Sequence, residues 1–217
     1  MSEIESSTFN LSTTQRSQTV EQPSTFLIIG LGNPGREYRN NRHNVGFMLL
    51  DHLADSLGMI FSRMELKALV TKAEYSGHKL ILAKPQTFMN LSGQATGSLV
   101  RYYKVPLDHL LVAFDDIDLP WGTLRLRPNG GSAGQKGLQS IIESLATEEF
   151  PRLRIGINRP PGRLEAGDYV LQDFSKNEAE LLPVIIERAS EAVIAFVRDG
   201  ITTAMNQFNA QGVGDLD

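Results

Sequence analysis

Residues 26 to 31 read Phe-Leu-Ile-Ile-Gly-Leu and run directly into Gly32-Asn33-Pro34-Gly35. An unbroken apolar run closed by a glycine turn describes a strand buried on both faces, and such strands lie inside sheets that carry helices on either side. The chain is thereby committed to a layered α/β architecture. A polar loop, Arg36 to Arg42, follows the turn. Apolar residues then recur at helical spacing (Val45, Met48, Leu49, Leu53, Leu57) until Gly58 ends the helix.

Further along, 66–75 and 78–84 flank Ser76-Gly77 and read as an antiparallel hairpin. A second helix is expected from about Leu91 to Lys104, then a strand over Leu110 to Phe114 and an alternating strand, Thr123 to Arg127. The glycine-rich loop Asn129 to Gly134 feeds a short helix, Lys136 to Leu145, and a strand lies around Leu153 to Ile157. A long amphipathic helix spans Lys176 to Arg198, with Ser175 as N-cap and a break or kink expected at Pro183. Helices alternating with parallel-compatible strands and one hairpin define a single α/β domain, a mixed twisted central β-sheet flanked by helices, over residues 25–210. Residues 1–24 read as a disordered N-terminal tail, and 211–217 as a flexible C-terminal tail. Residues 1 to 25 hold eleven Ser or Thr, three Gln and apolar residues without period, too little burial to offset the entropy of ordering.

The chain has 217 residues and no cysteine. That removes disulfides, thiolate zinc sites and cysteine nucleophiles together. No run approaches the roughly 18 apolar residues of a membrane span, and the first 25 residues lack a signal-peptide block. A soluble, cytoplasmic protein without membrane contact is expected. The net charge of -4 argues against a protein that coats nucleic acid, but the sum hides a patch. Residues 121 to 163 carry seven basic and three acidic groups, while residues 164 to 217 carry three and ten. The basic stretch is rich in arginine (Arg125, Arg127, Arg152, Arg154, Arg159, Arg163, with Lys136), the side chain suited to forked phosphate contacts.

Gly30-Leu31-Gly32-Asn33-Pro34-Gly35 matches the spacing of a dinucleotide fingerprint, yet the context disagrees. That motif needs its last glycine to open a helix and an acid to end the next strand about 20 residues on. Here Pro34 removes an N–H, a polar loop follows, and the acids near that distance, Asp51 and Asp55, fall on a helix. What the turn offers is Asn33 at the C-terminal end of a buried strand, the edge where such sheets bind ligands. His43, expected at the start of the next helix, stays close to that edge; His52, His78 and His109 read as surface residues. Asp115, just past the strand 110–114, is the best carboxylate to orient His43 as a general base. Asp116 and Asp118 share its loop. A cluster of acids can hold a hard cation, but no His or Glu cluster elsewhere completes a ligand set, so no metal site is assigned. Asn90 falls at a helix start, either as an N-cap or as an amide facing a substrate carbonyl. A His–Asp pair with neither a cysteine nor a serine in a nucleophile elbow points to direct activation of water against an activated ester. Asn33 and Asn90 would then serve as oxyanion donors.

Five blocks carry a resemblance to bacterial peptidyl-tRNA hydrolase: 30–35, Tyr38 with 42–46, 85–93, Asp115-Asp116-Ile117-Asp118-Leu119-Pro120, and Arg152-Leu153-Arg154-Ile155-Gly156-Ile157. They occur in register over about residues 26 to 208. The resemblance implies a peptidyl-tRNA hydrolase-like fold and a monomeric, cofactor-free enzyme. It would cleave the ester between a peptide and the terminal ribose of tRNA, recycling tRNA after premature release from the ribosome. By position, His43 resembles the general base, Asp115 its carboxylate partner, and Asn33 the residue that separates blocked from free aminoacyl groups. Phe88, Met89 and Asn90 resemble peptide-side and water-positioning contacts, and Tyr38 a contact to the tRNA end. Many members of that family carry His-Asn where this chain reads Gln135-Lys136, and Lys136 at a helix N-terminus is expected to meet a phosphate. Two other readings are a catalytically silent RNA-binding relative, similar to the plant plastid splicing factors that share the fold, and a nucleotide-binding α/β enzyme.

Overall fold

A computed structural model describes residues 24–209; the expected tails, 1–24 and 211–217, fall outside them apart from Ser24. Seven strands form one sheet, β1 (Thr25–Gly30), β2 (Arg63–Glu65), β3 (Ala68–Tyr75), β4 (His78–Pro85), β5 (Leu110–Asp116), β6 (Leu124–Arg127) and β7 (Arg152–Gly156), in the order β2-β3-β4-β1-β5-β7-β6. Strands β4, β1, β5 and β7 run parallel, while β2, β3 and β6 add antiparallel edges. The sheet is mixed, as expected. Five α-helices accompany it: α1 (Val45–Ser56), α2 (Ser92–Tyr103), α3 (Lys136–Leu145), α4 (Ala166–Val170) and α5 (Lys176–Phe208).

The central strand shows why both faces need helices. Phe26 and Ile28 point into one core with α1 and α5, and Leu27 and Ile29 into another with α2 and α3. The hairpin closes at Ser76-Gly77, with Tyr75 opposite His78. Strand β2 and helix α4 escaped the sequence reading because three and five residues are too short to show a period.

Helix α5 starts where expected: the Ser175 side chain accepts from the Glu178 N–H, and Glu178 reaches back to the Ser175 N–H, a complete capping box. The expected break at Pro183 is not there. Pro183 keeps helical dihedrals on the solvent side, where water can satisfy the carbonyl it leaves unbonded. The interruption comes instead at Gly200, with φ 81° and ψ 170°, and the helix resumes to Phe208. His78 and His109 are half-buried rather than on the surface. Both pack against Phe26, with His109 stacked 4.2 Å from it.

Candidate active site

Helix α1 carries the chain from β1 toward β4, α2 crosses back to β5, and the chain then continues outward to β6 and β7. Connections therefore diverge at the C-terminal ends of β1 and β5, which opens a crevice there. The backbones meet closely at this point. A Cβ on Gly30 would stand 2.2 Å from the Gly46 carbonyl oxygen, and one on Gly46 would lie 2.5 Å from that of Ala113. Close packing of strand against helix accounts for these glycines. No helix opens at Gly35, where a short 3-10 turn follows at Arg36–Tyr38.

His43 sits in a second 3-10 turn, Arg42–Asn44, immediately before α1. Its Nδ1 lies 2.8 and 2.9 Å from the two carboxylate oxygens of Asp115. Asp115 is the penultimate residue of the buried strand β5 and is 3% exposed. In the tautomer whose Nδ1–H donates to this carboxylate, Nε2 is the nitrogen that carries the lone pair, and His43 lines a cavity. The cavity has a volume of about 660 Å3 and is bounded by His43, Asn33, Met89, Asn90, Lys136 and Leu171, among others. Its size falls within the usual range for a ligand site.

Asn33 is held three ways. Its N–H donates to Asn44 Oδ1, its carbonyl accepts from Asn44 Nδ2, and its Oδ1 accepts the Met89 N–H, each at 2.9 Å. A side chain whose oxygen is fixed by a backbone N–H must present its NH2 elsewhere, so Asn33 offers a donor to the cavity. Asn90 is not an N-cap. It lies in the 3-10 turn Met89–Leu91, is exposed, and bonds no side-chain partner among the described residues. Phe88, 62% exposed, stands at the cavity mouth beside buried Met89. Tyr38 is half-buried in its turn and is not among the residues lining this cavity.

Several contributors were not singled out from sequence. Asn44 is the clamp on Asn33, and only its place beside His43 pointed to it. Gln135 caps α3 through Oε1 and donates from Nε2 to Asp115 Oδ1 at 3.4 Å. Arg42 donates to the carbonyls of Gln172 and Asp173, pairs with Glu178 at 2.6 Å and lies 4.3 Å from the Tyr169 ring centroid. It ties the histidine turn to α4, which forms one wall of the cavity. Bonds from Ser175 and Arg42 hold the Glu178 carboxyl below its ordinary range, against burial that acts to raise it.

The acids of the 115–118 loop do not converge. Asp116 pairs with Arg154 and accepts the Asp118 N–H, and Asp118 pairs with Arg159 at 2.6 Å. Among the described residues no group of three or more His, Asp or Glu is placed to hold a metal ion. Arg152 does not serve as a phosphate contact. It is 2% exposed, and its guanidinium donates to the carbonyls of Gly130, Glu148 and Phe150, pinning the glycine loop; burial pushes it down to about 10, so it keeps its charge at neutral pH.

A basic histidine nitrogen backed by a buried carboxylate, facing amide donors across an open cavity at the switch point of an α/β sheet, defines a class: single-domain enzymes that activate water or a hydroxyl by general base catalysis. The family model for peptidyl-tRNA hydrolase matches residues 27–215. The peptidyl-tRNA hydrolase of Chloroflexus aurantiacus is 46% identical over 185 residues, 85% of this chain and 98% of that one. That of Carboxydothermus hydrogenoformans is 48% identical over 187 residues, 86% of this chain and all of that one. The crystal structure of peptidyl-tRNA hydrolase from Acinetobacter baumannii superposes with a TM-score of 0.81 at 35% identity, covering 87% of this chain and 96% of that one. The chain belongs to the peptidyl-tRNA hydrolase family and is a hydrolase of the translation apparatus. Neither the silent RNA-binding reading nor the nucleotide-binding one is favoured.

Proposed function

We propose that the chain hydrolyses the ester between a peptide, or an N-blocked aminoacyl group, and the terminal ribose of tRNA, using water activated by His43. The observation that carries this is the two-oxygen contact of Asp115 with His43 Nδ1, which leaves the lone pair on Nε2 of a residue that lines the cavity. Nε2 takes a proton from water, and the water oxygen attacks the acyl carbon. The Asn33 NH2 and the Asn90 amide donate to the developing oxyanion. As the tetrahedral species collapses, the C–O bond to the ribose breaks and the imidazolium returns its proton to that oxygen. Free tRNA and a peptide carboxylic acid result, and the acid loses its proton to solvent. A positioned base supplies about 10²- to 10⁴-fold, and one oxyanion donor about 10²- to 10³-fold, enough for an ester without a metal.

Asn33 also supports discrimination. Its fixed NH2 suits the carbonyl of a blocked amine and is mismatched to a free ammonium, which has only donors. Phe88 and Met89 contact the acyl group. Phosphates meet the far edge of the sheet. Arg125 and Arg127 alternate to one face of β6, and Arg127 is exposed there, where it can meet a phosphate. Lys136, exposed at the first turn of α3 and lining the cavity, adds a cation nearby. The enzyme acts as a cytoplasmic monomer without a cofactor. Among the described residues no helix is long and apolar enough to cross a membrane; one relative, from Arabidopsis thaliana, is chloroplastic.

The test compares N-acetyl-aminoacyl-tRNA with the unblocked aminoacyl-tRNA. Wild type should cleave the first and largely spare the second, and Asn33→Ala should narrow that difference by about tenfold or more. Equal cleavage of both by wild type would contradict the assignment of Asn33.

A further inference from the structure

Residues 62 to 104 carry seven Lys or Arg against two Glu, a stronger excess than at the β6 and β7 end of the sheet. One of the seven, Lys84, is buried and pairs with Asp51. The other six gather elsewhere. On β3, Ala68 and Val70 enter the core that α2 covers, so alternation puts Lys72 and Glu74 on that same face. Cross-strand register adds Arg63 and Glu65, opposite Val70 and Ala68, and Lys79, opposite Glu74. Helix α2 brings Arg101 and, at its left-handed C-cap, Lys104, and Lys67 donates to Gln94 of that helix at 2.8 Å. Two tyrosines sit among these cations. Tyr103 is half-buried, its hydroxyl donates to Glu65, and the ammonium groups of Lys72 and Lys79 lie 4.8 and 5.4 Å from its ring centroid. Tyr102 meets Tyr103 edge to face at 4.8 Å and is itself 67% exposed.

We infer that this face holds single-stranded RNA, at a place separate from the contacts to the tRNA substrate. Its charge is not spent within the fold. Glu65 is taken up by Lys72 at 2.8 Å, and bonds from Lys72 and Tyr103 hold its carboxyl below the ordinary range. Arg63, Lys79, Arg101 and Lys104 are exposed and form no salt bridge among the described residues. Single-stranded nucleic acid matches both halves of the surface: its phosphates suit the cations, and a base can stack on the open ring of Tyr102. An acidic protein fits less well, because protein interfaces are built on an apolar centre. Here the apolar residues, Ala68 and Val70, are 0% and 1% exposed beneath α2. Strands β2, β3 and β4 also lie at the opposite edge of the sheet from β6 and β7, where the substrate's phosphates are assigned. The inference therefore does not depend on the ester chemistry.

The experiment titrates a labelled oligouridylate of about 12 nucleotides with the full chain at about 50 mM salt and above. It uses wild type, Tyr102→Ala, the double variant Arg101→Gln with Lys104→Gln, and Arg127→Gln on β6. Tyr102→Ala should weaken binding by about tenfold, the contribution of one stacked base. The double variant should reduce the slope of log affinity against log salt by about 1.4, two phosphate contacts on a single strand. Melting temperatures like that of wild type report that the variants are folded, and their cleavage of N-acetyl-aminoacyl-tRNA should be unchanged. No binding of the oligouridylate by wild type, or equal binding by wild type and both α2 variants, would overturn the RNA assignment and leave the ester hydrolysis standing. Equally tight binding of polyglutamate, lost in the same variants, would overturn it in favour of an acidic protein. Binding lost in Arg127→Gln and kept in the α2 variants would overturn it by moving the RNA to the substrate edge. Cleavage that falls together with oligouridylate binding in the α2 variants would overturn the separation of the two sites.

Discussion

His43 and Asp115 are held together by a direct side-chain contact. Both carboxylate oxygens lie within 2.9 Å of Nδ1, so the acid fixes the tautomer and the ring plane together. Asp115→Asn keeps the shape but can present an NH2 to Nδ1, favouring the tautomer with its proton on Nε2. That change should lower kcat by about 10²- to 10⁴-fold with little effect on KM, as single-turnover and steady-state assays on an N-blocked aminoacyl-tRNA would show. These two residues were legible in the sequence because Asp115 lies at the end of one buried strand and His43 comes after another, and strand ends in such sheets converge on one edge. Arg42 and Gln135 were not legible as contributors. Their contacts join residues far apart in the chain, Arg42 with Glu178 and Gln135 with Asp115, and no local pattern announces them.

Elements were read well where a period was long and poorly where backbone chemistry decided. The start of α5 was legible because Ser175 and Glu178 form a capping box in three residues' spacing. Its interruption was misplaced: proline is the usual helix breaker, but Pro183 lies on the solvent side, while Gly200 adopts a positive φ that other residues resist. The same capping carboxylate ties α5 to the histidine turn through Arg42. Its pKa is lowered in the fold from the ordinary 4.5, so its stabilisation is fully present above that value and is lost as pH falls through the lowered one. Wild type should therefore lose more thermal stability between pH 5 and pH 3 than Glu178→Gln, which lacks that carboxylate at every pH. Equal losses in melting experiments would remove Glu178 from the acid response.

Over the whole molecule, a net charge of -4 conceals an ordered distribution. Arginines gather on the β6 and β7 end of the sheet, the His43 crevice lies mid-sheet, and the acid-rich C-terminal quarter is largely α5. Arg152 and Arg154 are committed within the fold, to backbone carbonyls and to Asp116, whereas Arg127 is exposed. Only part of the basic stretch is therefore available to phosphate. Arg127→Gln should reduce the slope of log affinity against log salt for deacylated tRNA by about one, and Arg152→Gln should act chiefly through stability. The most direct test of the account is release of the acyl group from N-acetyl-aminoacyl-tRNA by wild type and by His43→Ala. The account predicts cleavage by wild type and a loss of about 10²-fold or more in the variant, with tRNA affinity retained; equal rates would contradict it.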